Sequence, residues 1–399
     1  MAYDPAVLRA GLAVVERRAG QLTTYFYTHL FAHNPGLRRL FPADLDEQRD
    51  RLFAALTRLV ARLDEPDRLT DYLAALGRDH RKFGTLPAHY PAVGASLLAA
   101  LRHFMGHSWT VEDEKSWTGA WTVISEAMIG AAAAVPPGTP AWWDADVVQR
   151  RRAAPDVAVL TLAPNRPYPY TAGQYLTLCS PRVHRVWRPY SIACAPRPDG
   201  TVDLHVRRVP GGLLSTALVN DVVPGERVRL GPPIGDAVLD PASRRPLLAV
   251  AGGTGWAQAK ALVEQLALDG GRPATVLLGA RDDADRYDLA ALHDLADRHP
   301  WLEVLLAVPA GRADRAEAVE LLQEGLHGLG DCSGRDILLS GPPDLAPELT
   351  DQLLAQHAEP ELIRHDPVPH TFDRARPLTA PEWFLADRDV AWINRTDLA

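Results

Sequence analysis

Between Val135 and Asp146 the chain reads VPPGTPAWWDAD, with three prolines and one glycine in twelve residues. Proline lacks the N–H that a helix or a ladder needs, so no regular element continues through this stretch. The apolar periodicity also differs on its two sides, so the chain must fold as separate bodies. A length of 399 residues agrees, since a single core stops growing at about 250–300 residues.

Before the break, to about residue 135, the pattern is helical and carries almost no strand signal. Leu52, Leu56, Leu59 and Leu63 fall on one face at helical spacing. Thr70 is placed to cap a helix whose inner side carries Tyr72, Leu73, Leu76, His80 and Phe83. Pro87 and Pro91 precede a helix over about 92–106, and another is expected over about 114–134. After the break, strand-like runs at 157–162, 173–179, 187–194, 201–209 and 226–231 alternate with Pro, Gly and Asp turns. That spacing predicts a small antiparallel barrel. From Arg245 onward the apolar runs PLLAVA, ATVLLGA, LEVLLAVP and DILLSG alternate with helical segments. Such runs predict a parallel α/β sheet covered on both faces. The fold class is therefore multi-domain: all-α, then antiparallel β-barrel, then parallel α/β.

Composition removes several classes of function. Hydrophobic residues at 47% and charged residues at 23% fit a globular protein. The net charge of −8 argues against nucleic acid or an anionic membrane face. Cys179, Cys194 and Cys332 are too scattered for a disulfide scaffold or a zinc site, which suits a reducing cytoplasm. Glu16 and two arginines interrupt the first apolar stretch, so no signal peptide is expected. The apolar stretch Met128–Pro137 is too short to span a bilayer.

In the barrel region, Val186-Trp187-Arg188-Pro189-Tyr190-Ser191 concentrates the chemistry. On a strand, Arg188 and Tyr190 share a face. The arginine offers a planar fork to a pyrophosphate, and the phenol a flat surface to a ring system. Ser191 adds a small hydroxyl. Gly173-Gln174-Tyr175 lies upstream. Downstream, Gly211 and Gly212 open a short helix containing Ser215, which reads as an anion site for flavin phosphates. Alone, such a tetrapeptide is equally an ordinary strand with a surface arginine. Further on, a strand runs into Gly252-Gly253-Thr254-Gly255 and then a helix. Backbone amides there can approach a dinucleotide phosphate. Gln258 stands where a third glycine would complete the fingerprint. Together these segments resemble the ferredoxin-reductase-like flavin and nicotinamide module. The resemblance implies that Arg281, after the next strand, reads the adenosine ribose. Asp282, Asp283 and Asp285 would repel a 2′-phosphate there, which favours NADH over NADPH. Ser340 and Gly341 stand where the family ends a late strand in Cys-Gly.

In the helical half, a lone inward histidine is more often a core residue than a ligand. The order of FYTHLFAHNPGLRRLFP, DEQRDRLFAAL and HRKFGTLPAHYPAVGASLLAAL, however, resembles the globin of bacterial flavohaemoglobins. With the reductase that follows, the resemblance covers roughly residues 1–365. It implies a globin over 1–137, a linker over 138–150, an FAD domain over 151–243, an NAD(P) domain over 244–365 and a tail over 366–399. It implies haem b, FAD and NADH or NADPH as cofactors, with His80 as the iron ligand. Tyr27 and Gln48 would hydrogen-bond iron-bound O₂, while Phe26, Phe41 and Leu52 would line the haem. It also implies nitric oxide dioxygenation: nitric oxide and O₂ become nitrate, and NAD(P)H re-reduces the iron through FAD. A monomer or weak dimer in the cytoplasm is expected, with small molecules as partners.

Besides Ser340, two positions depart from that family. Tyr90 matches a tyrosine that orients the proximal histidine, but Ala132 stands where its glutamate partner belongs, and Glu126 is almost two turns away. Val368 stands near the slot of an aromatic that covers the flavin, so Trp383 or Phe384 of the tail is a candidate replacement. These departures keep two alternatives open. One is a gas-binding or sensing globin with a built-in haem reductase, and the other is a flavohaem reductase for another acceptor.

Overall fold

The computed structural model describes residues 3–309, 311–342 and 345–365, with the side chains of 283, 284 and 315 also left aside. The predicted positions Val368, Trp383 and Phe384 lie outside the described residues. The described chain divides into two units, the first ending at Trp142 and the second beginning at Trp143.

The first unit is helical: α1 (Pro5–Glu16), α2 (Ala19–His33), α3 (Asp46–Ala61), α4 (Pro66–His80), α5 (Tyr90–Met105) and α6 (Val111–Ala133). Asp4 caps α1 by accepting from the Ala6 N–H, and Thr110 with Asp113 closes a capping box on α6. That box starts α6 three residues before the expected boundary, because its charged first turn hides the helix from an apolar pattern. Thr70 is not a cap. Pro66 starts α4 one turn earlier, and the Thr70 hydroxyl donates to the Pro66 carbonyl inside the helix at 2.8 Å. The crossing of α4 on α6 is set by Gly77, where a β-carbon would lie 2.3 Å from the Met128 carbonyl oxygen.

The second unit holds the barrel and the parallel sheet. The barrel strands are β1 (Trp143–Ala154), β2 (Val157–Pro164), β3 (Tyr175–Cys179), β4 (Trp187–Ser191), β5 (Val202–Arg207) and β6 (Arg227–Leu230). Their order is β4-β3-β6-β1-β2-β5. Just past β4, a bridge from Ile192 to Leu204, with the Ala193 N–H donating to the Asp203 carbonyl at 2.8 Å, ties the two ends of the order together. The expected linker over 138–150 is shorter than read. Trp143, Ala145 and Val147 alternate inward on β1, the longest barrel strand, and pair with β6 and β2. The arginine run after them masked that alternation. A short helix α7 (Leu213–Thr216) follows β5.

The rest alternates β7 (Leu247–Gly252), α8 (Trp256–Leu268), β8 (Ala274–Gly279), α9 (Leu289–Arg298), β9 (Leu302–Ala307), α10 (Arg315–Leu329), β10 (Asp336–Ser340), α11 (Leu345–Ala355) and β11 (Ile363–His365). All strands are parallel in the order β11-β10-β7-β8-β9. Every residue of β7 and β8 is buried, as two covered faces require. The chain goes from β7 outward to β8 on one side and later to β10 on the other. The gap between the C-terminal ends of β7 and β10 is thus the switch point where such sheets take ligands. No described helix is long and apolar enough to cross a membrane.

Candidate functional site

In the helical unit, His80 is the last residue of α4. Its Nδ1 donates to the Leu76 carbonyl oxygen one turn back, at 2.7 Å. That bond fixes the tautomer and leaves the Nε2 lone pair for a ligand bond. Burial pushes the His80 imidazole below its ordinary value, so the neutral form that binds a metal is favoured. Tyr27 on α2 is buried, and its hydroxyl donates to the main-chain carbonyl of Gln48 at 3.3 Å. Burial drives this phenol well above its ordinary value, against smaller opposing effects of Gln48 and Arg51. It is therefore a hydrogen-bond donor at every physiological pH. The rings of Phe26 and Phe41 lie 4.8 and 5.6 Å from that of Tyr27.

Two apolar clusters surround these groups. One holds Phe26, Tyr27 and Phe53, with Phe41 and Leu52 packed on it. The other holds Leu73, Tyr90 and Met128, with Leu76 packed on it, and Leu63 belongs to both. An imidazole with a free Nε2, a buried phenol donor and apolar walls form the donor set a haem requires, so the residues present fit the group. Tyr90 is buried beside Trp121, with ring centroids 6.5 Å apart. Its hydroxyl makes no hydrogen bond among the described residues, and burial alone raises it. His80 is thus oriented by its own helix rather than through Tyr90. Glu126 is exposed.

In the barrel, Arg188 and Tyr190 face the same side of β4, as alternation demands. Pro189 costs no ladder bond because β4 ends the sheet order. Ser191 is the register partner of Tyr175, which is buried against Gly235. Burial raises the Tyr190 phenol. Gly211 has φ +71°, and a side chain on Gly212 would collide with the Ser215 hydroxyl at 2.6 Å. That hydroxyl donates to the Gly212 carbonyl and accepts from the Val209 N–H, both at 3.1 Å. The expected helix-terminus anion site needs correction. Helix α7 is a single turn that runs into a π turn over Ala217–Asp221, too short to sum a useful dipole. What remains is a glycine loop whose shape Ser215 holds. A fork-bearing arginine, a phenol on the same strand face and a glycine loop suit a flavin with its pyrophosphate.

At the switch point, Gly253 has φ +54°, and a β-carbon on Gly255 would lie 2.2 Å from the Ser340 carbonyl oxygen. These glycines therefore let the β7 turn close onto Ser340 and Gly341 at the end of β10. The Ser340 hydroxyl is buried without a hydrogen-bond partner, as suits a ligand-facing donor. Thr254 is half-buried. Gln258, read as a gap in the fingerprint, has a positive role: its Nε2 donates to the Gly173 carbonyl at 2.6 Å and ties α8 to the loop before β3.

Other site residues had no local sequence signal. Lys260 and Glu264 on α8 bond the main chain at Ala193 and Ala195. The segment after β8 meets the barrel through three pairs: Asp285 with Arg207, Tyr287 with His205, and Asp288 with Arg151. Arg281 with Asp285 and Lys260 with Glu264, each four residues apart, could have been paired from spacing. Among the described residues, no group of three or more His, Cys, Asp or Glu could hold a bare metal ion.

Comparison with known proteins gives the same order of parts. A family described as Globin matches residues 24–128, and one described as Oxidoreductase FAD-binding domain matches residues 144–238. A flavohemoprotein of Deinococcus radiodurans is 30% identical over 358 residues, covering 77% of this chain and 87% of that protein. One of Chromobacterium violaceum is 27% identical, covering 84% of this chain and 90% of that protein. Among solved structures, the flavohemoglobin of Malassezia yamatoensis with bound FAD and heme shares the fold with a TM-score of 0.72 at 20% identity, covering 90% of this chain and 97% of that one. An Amycolatopsis cytochrome P450 reductase matches at a TM-score of 0.51 and 28% identity, covering 56% of this chain and 69% of that one. With its helical haem-type unit, its closed barrel and its parallel sheet in this order, the chain belongs to the flavohaemoglobin family.

Proposed function

We propose that this oxidoreductase converts nitric oxide and O₂ to nitrate at the expense of NAD(P)H. The observation that carries the reading is His80, whose Nδ1–H is taken by Leu76 so that Nε2 is left to bind iron. When bound, haem supplies a ferrous iron that takes a diatomic gas, and FAD relays electrons from the nicotinamide coenzyme to it.

The chain's own groups do the positioning. Tyr27 keeps its proton, which rests on the Gln48 carbonyl and would turn to a charge-bearing acceptor in the apolar pocket, where such a bond is strongest. Phe26, Phe41 and Leu52 exclude water beside it. Arg188 and the Gly211–Gly212 loop hold the flavin pyrophosphate, while Tyr190 and Ser191 face its ring system. Gly252–Gly255 accept the coenzyme phosphates, and Ser340 turns its hydroxyl toward the nicotinamide. Three scattered cysteines and a net charge of −8 support a cytoplasmic protein with small-molecule partners.

A second reading, a gas-binding globin with its own haem reductase, draws on the unbonded Tyr90 hydroxyl. Without a carboxylate behind it, His80 donates less electron density to iron, which favours holding a gas over turning it over. Stopped-flow mixing of the NADH-reduced, oxygenated protein with nitric oxide tests both. Nitrate formed over many turnovers supports the first. Slow turnover with a long-lived oxygenated haem supports the second. A protein with no Soret band after haem loading would remove both.

A further inference from the structure

We propose that Asp285 is a specificity-determining residue that sets this reductase for NADH over NADPH. Arg281 follows β8 by two residues, and the end of β8 is the register neighbour of the Gly252 turn, Gly252 pairing with Gly279. In folds of this kind the adenosine ribose lies at the end of that second strand, and a free arginine there accepts a 2′-phosphate.

Arg281 is not free. Its Nε and its main-chain N–H both donate to Oδ2 of Asp285, at 2.9 and 3.1 Å. The other oxygen, Oδ1, lies 2.5 Å from Nη2 of Arg207, an ion pair that is off-angle for a hydrogen bond. Arg207 also pairs with Asp156 through Nη1 at 2.6 Å. Asp285 itself is 3% exposed. Burial acts to raise its carboxyl, but Arg281 and Arg207 outweigh that and hold it below the usual range. Asp282 caps the same turn by accepting from the Asp285 N–H at 3.2 Å and lies 3.8 Å from Nε of Arg312.

Arg207, Arg281 and Arg312 are matched by Asp156, Asp282 and Asp285. In this cluster each of the three arginines is already neutralised by a carboxylate. A 2′-phosphate, close to a dianion, would lose hydration against it without a counter-charge, whereas a ribose hydroxyl would not. The clamp is also unable to swing away. Tyr287 OH meets Nδ1 of His205 at 2.7 Å, and Asp288 holds both Arg151 and the indole N–H of Trp256 at 3.0 Å. Asp285 is thus fixed between the barrel and the coenzyme turn.

This inference rests on the reading of Gly252–Gly255 as the coenzyme turn, and ferricyanide separates the two because it drains the flavin without the haem. The full-length, flavin-loaded protein is assayed with NADH and NADPH, and its affinity for ADP-ribose and 2′-phospho-ADP-ribose is measured by titration calorimetry. The unsubstituted protein is expected to favour NADH at least tenfold in kcat/KM. Asp285→Asn releases one charge from two arginines and should tighten 2′-phospho-ADP-ribose about tenfold, the scale of one charge-assisted contact, with a smaller change for ADP-ribose. Asp282→Asn, which still caps its turn, should move the preference the same way and serves if Asp285→Asn does not fold. Equal losses for both ligands in the variants, or an unsubstituted protein that uses NADPH as well as NADH, would overturn the inference. Ferricyanide reduction with neither coenzyme would overturn the coenzyme-turn reading instead.

Discussion

Nδ1 of His80 and the carbonyl oxygen of Leu76 stand 2.7 Å apart within one helical turn. One backbone bond thereby selects the imidazole tautomer and directs Nε2 away from its own helix. That orientation does not draw on the Tyr90 hydroxyl, which makes no hydrogen bond among the described residues.

The first prediction concerns His80 itself. His80→Gly should remove the Soret band of the iron-bound protein, and millimolar imidazole should restore it. Titration of the variant with imidazole, followed by absorption, checks this. A Soret band unchanged in the variant without imidazole would show that another group holds the iron.

Tyr27→Phe keeps the ring and removes the donor. A hydrogen bond to a charge-bearing acceptor contributes about 1.5–3 kcal/mol, so O₂ should dissociate at least about tenfold faster. Laser-flash or stopped-flow displacement of O₂ by CO measures it. Because burial keeps the phenol protonated, the rate should be flat from pH 6 to 9. A step in that range would contradict the assignment.

Gly77→Ala tests the α4–α6 crossing. The added carbon would sit 2.3 Å from the Met128 carbonyl oxygen, a backbone atom that cannot rotate away. Overpacking of this kind costs about 1–3 kcal/mol, and it should displace the helix that ends in His80. Haem release should begin several degrees lower in thermal melts followed at the Soret maximum, while the flavin-fluorescence transition stays in place.

His205 gives a pH dependence in the reductase half. It is 6% exposed, and burial lowers it from 6.5 to about 4. As pH falls below 6.5 the unfolded chain binds a proton that the folded chain refuses. Stability is therefore full above about 6.5 and is lost as pH falls toward 4, by up to about 3 kcal/mol. Comparison of flavin-fluorescence melts at pH 7 and pH 5 should show a larger drop for the unsubstituted protein than for His205→Gln. Equal drops would assign the acid sensitivity to other groups.

Much of the architecture is legible along the chain because it is local. Helical and strand periods, the proline break at 135–146 and the glycine turn at 252–255 each depend on near neighbours. The α4 boundary and strand β1 are misread because a proline at a helix start and an arginine run on a strand carry weak local signals.

By itself the sequence determined the order of the three folding patterns and the residue types able to bind haem, flavin and nicotinamide. Tertiary structure alone decided how those residues are occupied. Gln258 bonds Gly173 across 85 positions, and Asp285 meets Arg207 across 78. Pairings at such separation leave no periodic trace, since they are chosen by the packing of a helix and a turn on a barrel. They nevertheless fix the charge that a coenzyme meets.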